Sequence, residues 1–355
     1  MSAETHVDFQ VRRDDLRQCR FVRSEPAALE PGQVRLRVER FAFTANNVSY
    51  AMAGDMLGYW GFFPAEEGWG RIPVWGFGSV AESRCDALPE GGRVYGYLPM
   101  SSELVVQPDA VTPADFRDVS PHRAALPVVY NQYTRFPRDD DGTGDRRMLQ
   151  HPLVMTAFLL DDFLADEDFF GARRVVLTSA SSKTAFGLAF MLKRHDRPCE
   201  VAGLTSPRNL EFVKGLGCYD RVLRYEDVTS LPAEPAVVVD MAGDGEVLSA
   251  LHHHLRDDLQ HSCLVGATHW ERGKREPMPG PEPKFFFAPE RIQKRAADWG
   301  PALAERMEEA WQRFLAETGD WIRVVRESGE EAVERVYLDN LEGRARPDVG
   351  HVLSL

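Results

Sequence analysis

Residues 175 to 189 read Val-Val-Leu-Thr-Ser-Ala-Ser-Ser-Lys-Thr-Ala-Phe-Gly-Leu-Ala. An apolar strand runs into a bend of small residues, and the bend opens a helix. The first amides of a helix lack intrahelical acceptors, and together with the helix dipole they make a site for an anion. Small side chains let a phosphate approach the backbone closely. Ser179, Ser181, Ser182 and Thr184 line this bend, and Lys183 adds a point charge. The same residues also suit an ordinary N-capped helix with a solvated lysine. Further on, a second strand ends Gly203-Leu204-Thr205-Ser206-Pro207-Arg208. In a dinucleotide-binding βαβ unit, an acid about 20 residues beyond the turn takes the ribose 2′-hydroxyl. Here Thr205, Ser206 and Arg208 stand instead of an acid, a set that suits a 2′-phosphate and favours NADP(H) over NAD(H). Ser206-Pro207 also reads as a helix cap followed by a first-turn proline, and both readings can hold together.

Such strand ends need a sheet to hold them. Short apolar strands are expected at Arg174 to Leu177, Cys199 to Leu204, Arg221 to Tyr225, Ala236 to Asp240 and Ser262 to Val265. Helical stretches separate them at Thr184 to Arg194, Asn209 to Leu216 and Glu246 to Leu255. This alternation predicts a parallel sheet covered on both faces. Upstream, Gln33 to Arg40 alternates apolar and charged residues, the mark of a strand with one wet face. Short strand-like runs follow, punctuated by glycine and proline, and predict a compact β-barrel-like unit. The segment from Tyr50 to Trp75 carries Tyr59, Trp60, Phe62, Phe63, Trp69 and Trp75 among glycines. It reads as a long aromatic loop folded over a ligand or a core. Leu153 to Leu164 is an apolar helix whose Asp161 and Asp162 read as solvated or capping carboxylates. The tail, Val324 to Leu355, has strand, helix and strand character and is expected to return to the first domain.

The chain has 355 residues, more than one core usually serves, so two domains are expected. The formal net charge of -13 argues against a nucleic-acid or acidic-membrane partner, because phosphate surfaces need a positive footprint. A small anion in a local basic pocket stays compatible with it. Cys19, Cys85, Cys199, Cys218 and Cys263 form no C-x-x-C pair, which points to free thiols in a reducing, cytoplasmic setting. No signal-like leader and no apolar run of about 20 residues is read. His252, His253 and His254 are consecutive and so do not share one helix face. No metal site is expected, since metal-ligand spacings are missing.

The order of segments resembles the zinc-free, quinone-reductase-like branch of the medium-chain dehydrogenase/reductases. The resemblance rests on Leu216-Gly217-Cys218-Tyr219-Asp220-Arg221-Val222-Leu223-Arg224-Tyr225, on Val237 to Gly243 and on Leu264-Val265-Gly266-Ala267. Val34 to Val48 and Thr156-Ala157 add to it. Thr44-Ala45-Asn46-Asn47, Pro73-Val74-Trp75-Gly76, Ser179 to Thr184 and Thr268-His269-Trp270 resemble a bacterial and fungal offshoot known as a domain of unknown function. The resemblance implies an α/β chain with a GroES-like β-barrel domain, residues 1–150 with 290–355, and a Rossmann doubly wound parallel sheet, residues 151–289. It also implies cofactor contacts at Thr156, Ala242 and Gly266, and a substrate-side asparagine at Asn46 or Asn47. The chain departs from the family in putting serines and Lys183 where a glycine fingerprint is expected. It also lacks the GHE signature and the four-cysteine lobe of the zinc enzymes.

With NADP(H) bound, the residues expected near the nicotinamide are Asn46, Tyr50, Tyr130, Asn131, Thr156 and His269. Zinc-free hydride transfer needs positioning and a donor to the developing oxyanion. Tyr50 or Tyr59 supplies such a hydroxyl, and His269 can act as acid or relay; each also reads as a packing residue. The expected function is NADP(H)-dependent reduction of an enone, quinone or ketone, with an apolar or planar small-molecule substrate and a homodimer as the oligomer. Two alternatives stay open: a lyase-type acid–base enzyme on the same fold, and a non-catalytic nucleotide-binding protein.

Overall fold

The computed structural model describes residues 5–136, 142–195, 199–265 and 277–355. The chain divides into two compact units, residues 1–149 with 323–355, and residues 150–322. Among the described residues, no helix is long and apolar enough to cross a membrane. The five cysteines are free thiols. Burial pushes those of Cys218 and Cys263 up to about 12, so they stay protonated and unreactive.

The first unit is built from antiparallel sheets. In the smaller one, His6–Arg12 lies between Cys19–Ser24 and Trp69–Gly70. In the larger one, Val34–Phe43 lies between Val349–Ser354 and Pro73–Ser83, followed by Arg93–Pro99, Gln132–Phe136 and Asp115–Asp118. The tail closes this sheet: Val352 pairs with Ala42 and Leu353 with Phe41. The alternation at Gln33 to Arg40 leads one to expect a wet charged face, but Arg35 is buried. Its guanidinium reaches Glu103 at 2.6 Å, Glu82 at 3.2 Å and the Ala27 carbonyl, and these partners offset its desolvation. The aromatic loop turns out to be largely core. Trp60 fills a slot between Gly54 and Gly70, where an added Cβ would fall 2.2 and 2.5 Å from the indole. Phe62 and Phe63 are equally buried.

The second unit carries a six-stranded parallel sheet. Its order is Arg221–Arg224, Glu200–Thr205, Arg174–Leu177, Ala236–Asp240, Leu259–Leu264 and Lys284–Phe285. Strand periodicity sends neighbours to opposite faces. Val175, Leu177, Val237 and Val239 join one core, while Val176, Ala202, Leu204 and Val238 join the other. Residues 290–322 were expected in the first domain; they fall in the second unit. The reason is packing and charge. Trp311 and Phe314 of helix Ala302–Glu317 enter the core beside Phe186 and Phe190. Arg291 and Arg295 of helix Ala288–Trp299 grip Asp162 at 2.6 and 2.8 Å, and both also reach Asp166. Asp162 is therefore half of a shielded ion-pair network rather than a solvated carboxylate. Asp161 pairs with His195 at 2.7 Å, and burial raises its carboxyl against that contact.

Thr178 fixes the geometry where the first and fourth strands end. Its buried hydroxyl donates to Asp240 Oδ1 at 2.5 Å and accepts the amides of Met241 and Ala242 at 2.9 and 3.0 Å. Asp240 Oδ1 also takes the Ala242 and Gly243 amides.

Two stability outcomes follow, both read by urea unfolding. Trp311→Ala costs about 3–5 kcal/mol through the cavity it leaves, whereas a loss below about 1 kcal/mol would detach its helix from the core. Thr178→Val costs about 1–3 kcal/mol, because buried polar groups lose their partner; a neutral result would mean that Asp240 holds this turn alone.

Candidate functional site

Leu177 ends its strand, and Thr178 to Ser182 turn the chain into helix Lys183–Leu192. The turn depends on Ser179, whose φ of 48° lies in the left-handed region. That conformation costs a residue with a Cβ about 1–2 kcal/mol, and three hydrogen bonds hold it. The Ser179 amide donates to the Tyr225 hydroxyl at 3.2 Å, and the Ala180 amide to the Leu204 carbonyl at 2.9 Å. Tyr219 donates its hydroxyl to the Ala180 carbonyl at 2.8 Å. Gly203 makes room for this: a Cβ there would lie 2.8 Å from both Ala180 and Tyr219. Ser182 is the N-cap, and its hydroxyl accepts the Ala185 amide at 3.3 Å.

Among the described residues, the amides of Ser181 and Thr184 meet no protein acceptor. They mark the part of the helix start that can still take an anion. Ser181 accepts from Asn209 Nδ2 at 3.0 Å, which ties the bend to the turn after the second strand. Thr205, at the carboxyl end of that strand, is buried with a hydroxyl that has no partner among the described residues. A buried polar group left unpaired is costly, so this position suits a ligand atom. Ser206 precedes Pro207 at the start of a short 3-10 turn and makes no side-chain cap, and Arg208 follows it on the exposed side. Lys183 is half-buried at the helix start. Arg224 is engaged by Glu226 and Asp227. Two amides and a hydroxyl without a partner among the described residues together fit a phosphate-bearing nucleotide.

Other expected contacts have other employment. The Thr156 hydroxyl donates to the Pro152 carbonyl at 3.0 Å within its own helix. The Ala242 amide is held by Thr178 and Asp240. Gly187 serves packing: a Cβ there would lie 3.2 Å from Ala157. Gly266 and His269 lie outside the described residues.

The first unit brings together a cluster of phenols. Thr44 caps helix Ala45–Met52, with Asn47 returning a capping bond at 2.8 Å and donating to the Pro73 carbonyl at 2.9 Å. Asn47 is thus architectural, while Asn46, one position before it on the same helix, is half-buried. The Tyr50 ring lies 4.6 Å from Tyr59 and 5.7 Å from Tyr97. Tyr130 packs 4.7 Å from Tyr97 and 5.8 Å from Tyr59. The Tyr59 and Tyr130 hydroxyls are 3.2 Å apart. The Tyr97 hydroxyl is buried without a partner among the described residues. Burial raises Tyr50, Tyr59, Tyr97 and Tyr130 above the ordinary phenol range, so all four stay protonated and can donate. Beneath them, Tyr133 donates to the Tyr97 carbonyl at 2.6 Å and accepts from Arg123 at 3.1 Å. Arg123 is itself paired with fully buried Asp118 at 3.1 Å. Asn131 is buried beside it and donates to the Arg123 carbonyl at 3.4 Å.

Sequence reasoning missed Tyr225, Tyr219, Asn209 and the Thr178–Asp240 link. The first two stand inside the stretch from Leu216 to Tyr225, but nothing in their spacing shows that they brace a bend 40 residues earlier. Tyr97 escaped because it lies on a strand outside the aromatic loop.

The family model described as "Protein of unknown function (DUF2855)" matches residues 41–346. Comparison with the curated proteins finds none that matches. Among solved structures, CurA from Vibrio vulnificus matches with a TM-score of 0.63 at 13% identity, over 98% of this chain and 98% of that one. CurA in complex with NADPH, from the same organism, matches with a TM-score of 0.60 at 13% identity, over 94% and 93%. A mutant form of enoyl thioester reductase from Candida tropicalis gives 0.59 at 10% identity, over 99% and 100%. Identities this low speak for fold alone: a GroES-like antiparallel unit with a Rossmann sheet, the architecture of the medium-chain dehydrogenase/reductases. The match over most of its length makes this chain a member of the DUF2855 family.

Proposed function

We propose that this protein is a zinc-independent, NADP(H)-dependent oxidoreductase that reduces an enone, quinone or ketone. The observation that carries the reading is the serine-lined bend, whose Ser181 and Thr184 amides are unengaged beside the orphan hydroxyl of Thr205. Ser181, Ser182, Lys183 and Thr184 would hold the pyrophosphate. Thr205, Ser206 and Arg208 would hold the 2′-phosphate, since the second strand ends in these residues and not in an acid. NADPH, when bound, supplies a hydride. The structures likened to this chain include one in complex with NADPH and one with NADP and crotonyl-CoA.

The first unit supplies the other half of the chemistry. Tyr59 is the proton donor in this reading: it is neutral, buried and already hydrogen-bonded at its hydroxyl. A neutral phenol can donate to an oxyanion as charge develops. Tyr50 lies against it, ring to ring, and shapes the same wall. The surrounding rings favour an apolar or planar substrate. The rings that pack elsewhere, Trp60 and Phe63, contribute to stability rather than to substrate contact.

Fluorescence titration with NADPH and NADH tests the cofactor site. Wild type should bind NADPH more tightly, and Arg208→Ala should lose about 10- to 100-fold in NADPH affinity while leaving NADH unchanged, as expected for a charge-assisted contact. Lys183→Ala should weaken both cofactors. Equal affinity of the wild type for NADPH and NADH would remove the phosphate assignment.

A further inference from the structure

The Tyr59 hydroxyl is not solitary. It lies 3.2 Å from the Tyr130 hydroxyl, and the two rings meet edge to face at 5.8 Å. Tyr130 comes from a separate segment, the short 3-10 turn Val128–Asn131, 71 residues further along the chain. That turn is well fixed. The Tyr130 amide bonds the Pro127 carbonyl at 3.1 Å, and the Tyr130 ring rests on Phe62 at 5.3 Å and on Tyr97 at 4.7 Å. A phenol has one proton to donate. If Tyr59 gives its proton to a substrate, it cannot also donate to Tyr130, so Tyr130 must be the donor within the pair. From this geometry we infer that Tyr130 is the positioning residue for Tyr59, aiming its proton at the substrate and stabilising the phenolate left behind. The inference rests on the reading of Tyr59 as proton donor given above.

Either hydroxyl can be the donor in this contact, and burial raises both phenols, so both protons are in place to be passed along it. The proton balance also closes. The Tyr59 O–H bond breaks as the substrate's new bond to hydrogen forms, leaving a phenolate on Tyr59. Tyr130 passes its proton to that phenolate and regains one from water.

The test uses the full-length protein and needs no natural substrate. 4-(Dimethylamino)cinnamaldehyde is planar, and its absorption band moves to the red when its carbonyl accepts a hydrogen bond. The band of the bound probe is compared in wild type, Tyr59→Phe, Tyr130→Phe and the double variant; NADPH-dependent reduction of 4-phenyl-3-buten-2-one is followed in the same four proteins. Phenylalanine keeps both rings and removes only the hydroxyls, and thermal melts check that each variant is folded. We expect the red shift to vanish in Tyr59→Phe and to shrink in Tyr130→Phe. We expect kcat to fall about tenfold in Tyr130→Phe, the loss of one hydrogen bond to a developing charge, with KM within about twofold of wild type. In the Tyr59→Phe background, Tyr130→Phe should change nothing further, because a residue that acts only through Tyr59 has nothing left to act on. Tyr130→Phe matching wild type in both readouts, or effects that simply add in the double variant, would overturn the inference while leaving Tyr59 as donor. A Tyr59→Phe protein that keeps the shift and the rate would instead overturn the donor assignment.

Discussion

The left-handed bend at Ser179 is the constraint on which the nucleotide-side architecture turns. A helix start can face a phosphate only if the chain leaves its strand sharply, and that turn needs a backbone conformation that glycine adopts at no cost. This chain uses a serine. The strain is carried by neighbours: the Tyr225 hydroxyl on the Ser179 amide, Leu204 on the Ala180 amide, and Tyr219 on the Ala180 carbonyl. The small residues have moved elsewhere. Gly203 opens the second strand to the bend, and Gly187 lets the helix settle on Ala157. The function of a glycine fingerprint, a tight turn with close approach on both sides, is thus spread over residues that form no contiguous motif. The arrangement also has a chemical result. Tyr225 closes the Ser179 amide, and among the described residues the Ser181 and Thr184 amides meet no protein acceptor.

A similar division of labour shapes the first unit. Aromatic residues are dense there because they serve two purposes. Trp60 is a structural wedge seated between two glycines, with the Arg13 guanidinium 5.5 Å over its ring. Phe63 lies against the guanidinium of Arg123 at 4.8 Å. Tyr50, Tyr59, Tyr97 and Tyr130 instead pack ring to ring, with the Tyr59 and Tyr130 hydroxyls 3.2 Å apart. Below them, the buried Arg123–Asp118 pair keeps the floor polar: Asp118 Oδ1 accepts from the Gln107 amide, the Ser120 amide and the Ser120 hydroxyl, while Arg123 Nε and Nη2 are buried without a hydrogen-bond partner among the described residues. A buried ion pair seldom adds net stability. What it supplies here is a fixed orientation for Tyr133 and, through Tyr133, for the Tyr97 strand.

The legible part of this protein is what depends on local periodicity. The parallel sheet could be read because each strand is a short apolar run beside a helix, and the serine-lined bend because strand, small residues and helix follow each other directly. The segment 290–322 was misassigned because the Pro/Gly-rich stretch before it looks like a boundary, while the contacts that bind it to the second unit join residues far apart in sequence, as between Arg291 and Asp162 or Asp166. Asp162 looked solvated for the same reason, and so did Arg35, whose partners Glu82 and Glu103 come from other strands. The phenol cluster was half legible. Tyr50 and Tyr59 lie in a run that invites attention, but Tyr97 and Tyr130 join them only through the sheet. Side-chain pairing across the chain carries no local signature, and this is the common cause of each miss.

The acidic character of the chain is compatible with an anionic ligand because the two act over different ranges. A net charge of -13 sets the long-range field, which physiological salt screens beyond about 8 Å. The bend works within hydrogen-bond distance, through amide dipoles that carry no formal charge and do not titrate. Arg174 is held by Glu200 and Glu234 at the amino end of the first strand, and Arg224 by Glu226 and Asp227 beside the third. Lys183 stands at the start of the helix after the bend, and Arg208 just past the end of the second strand. Affinity for a phosphate group would then come mainly from geometry, and choice between cofactors from one guanidinium at the end of the second strand.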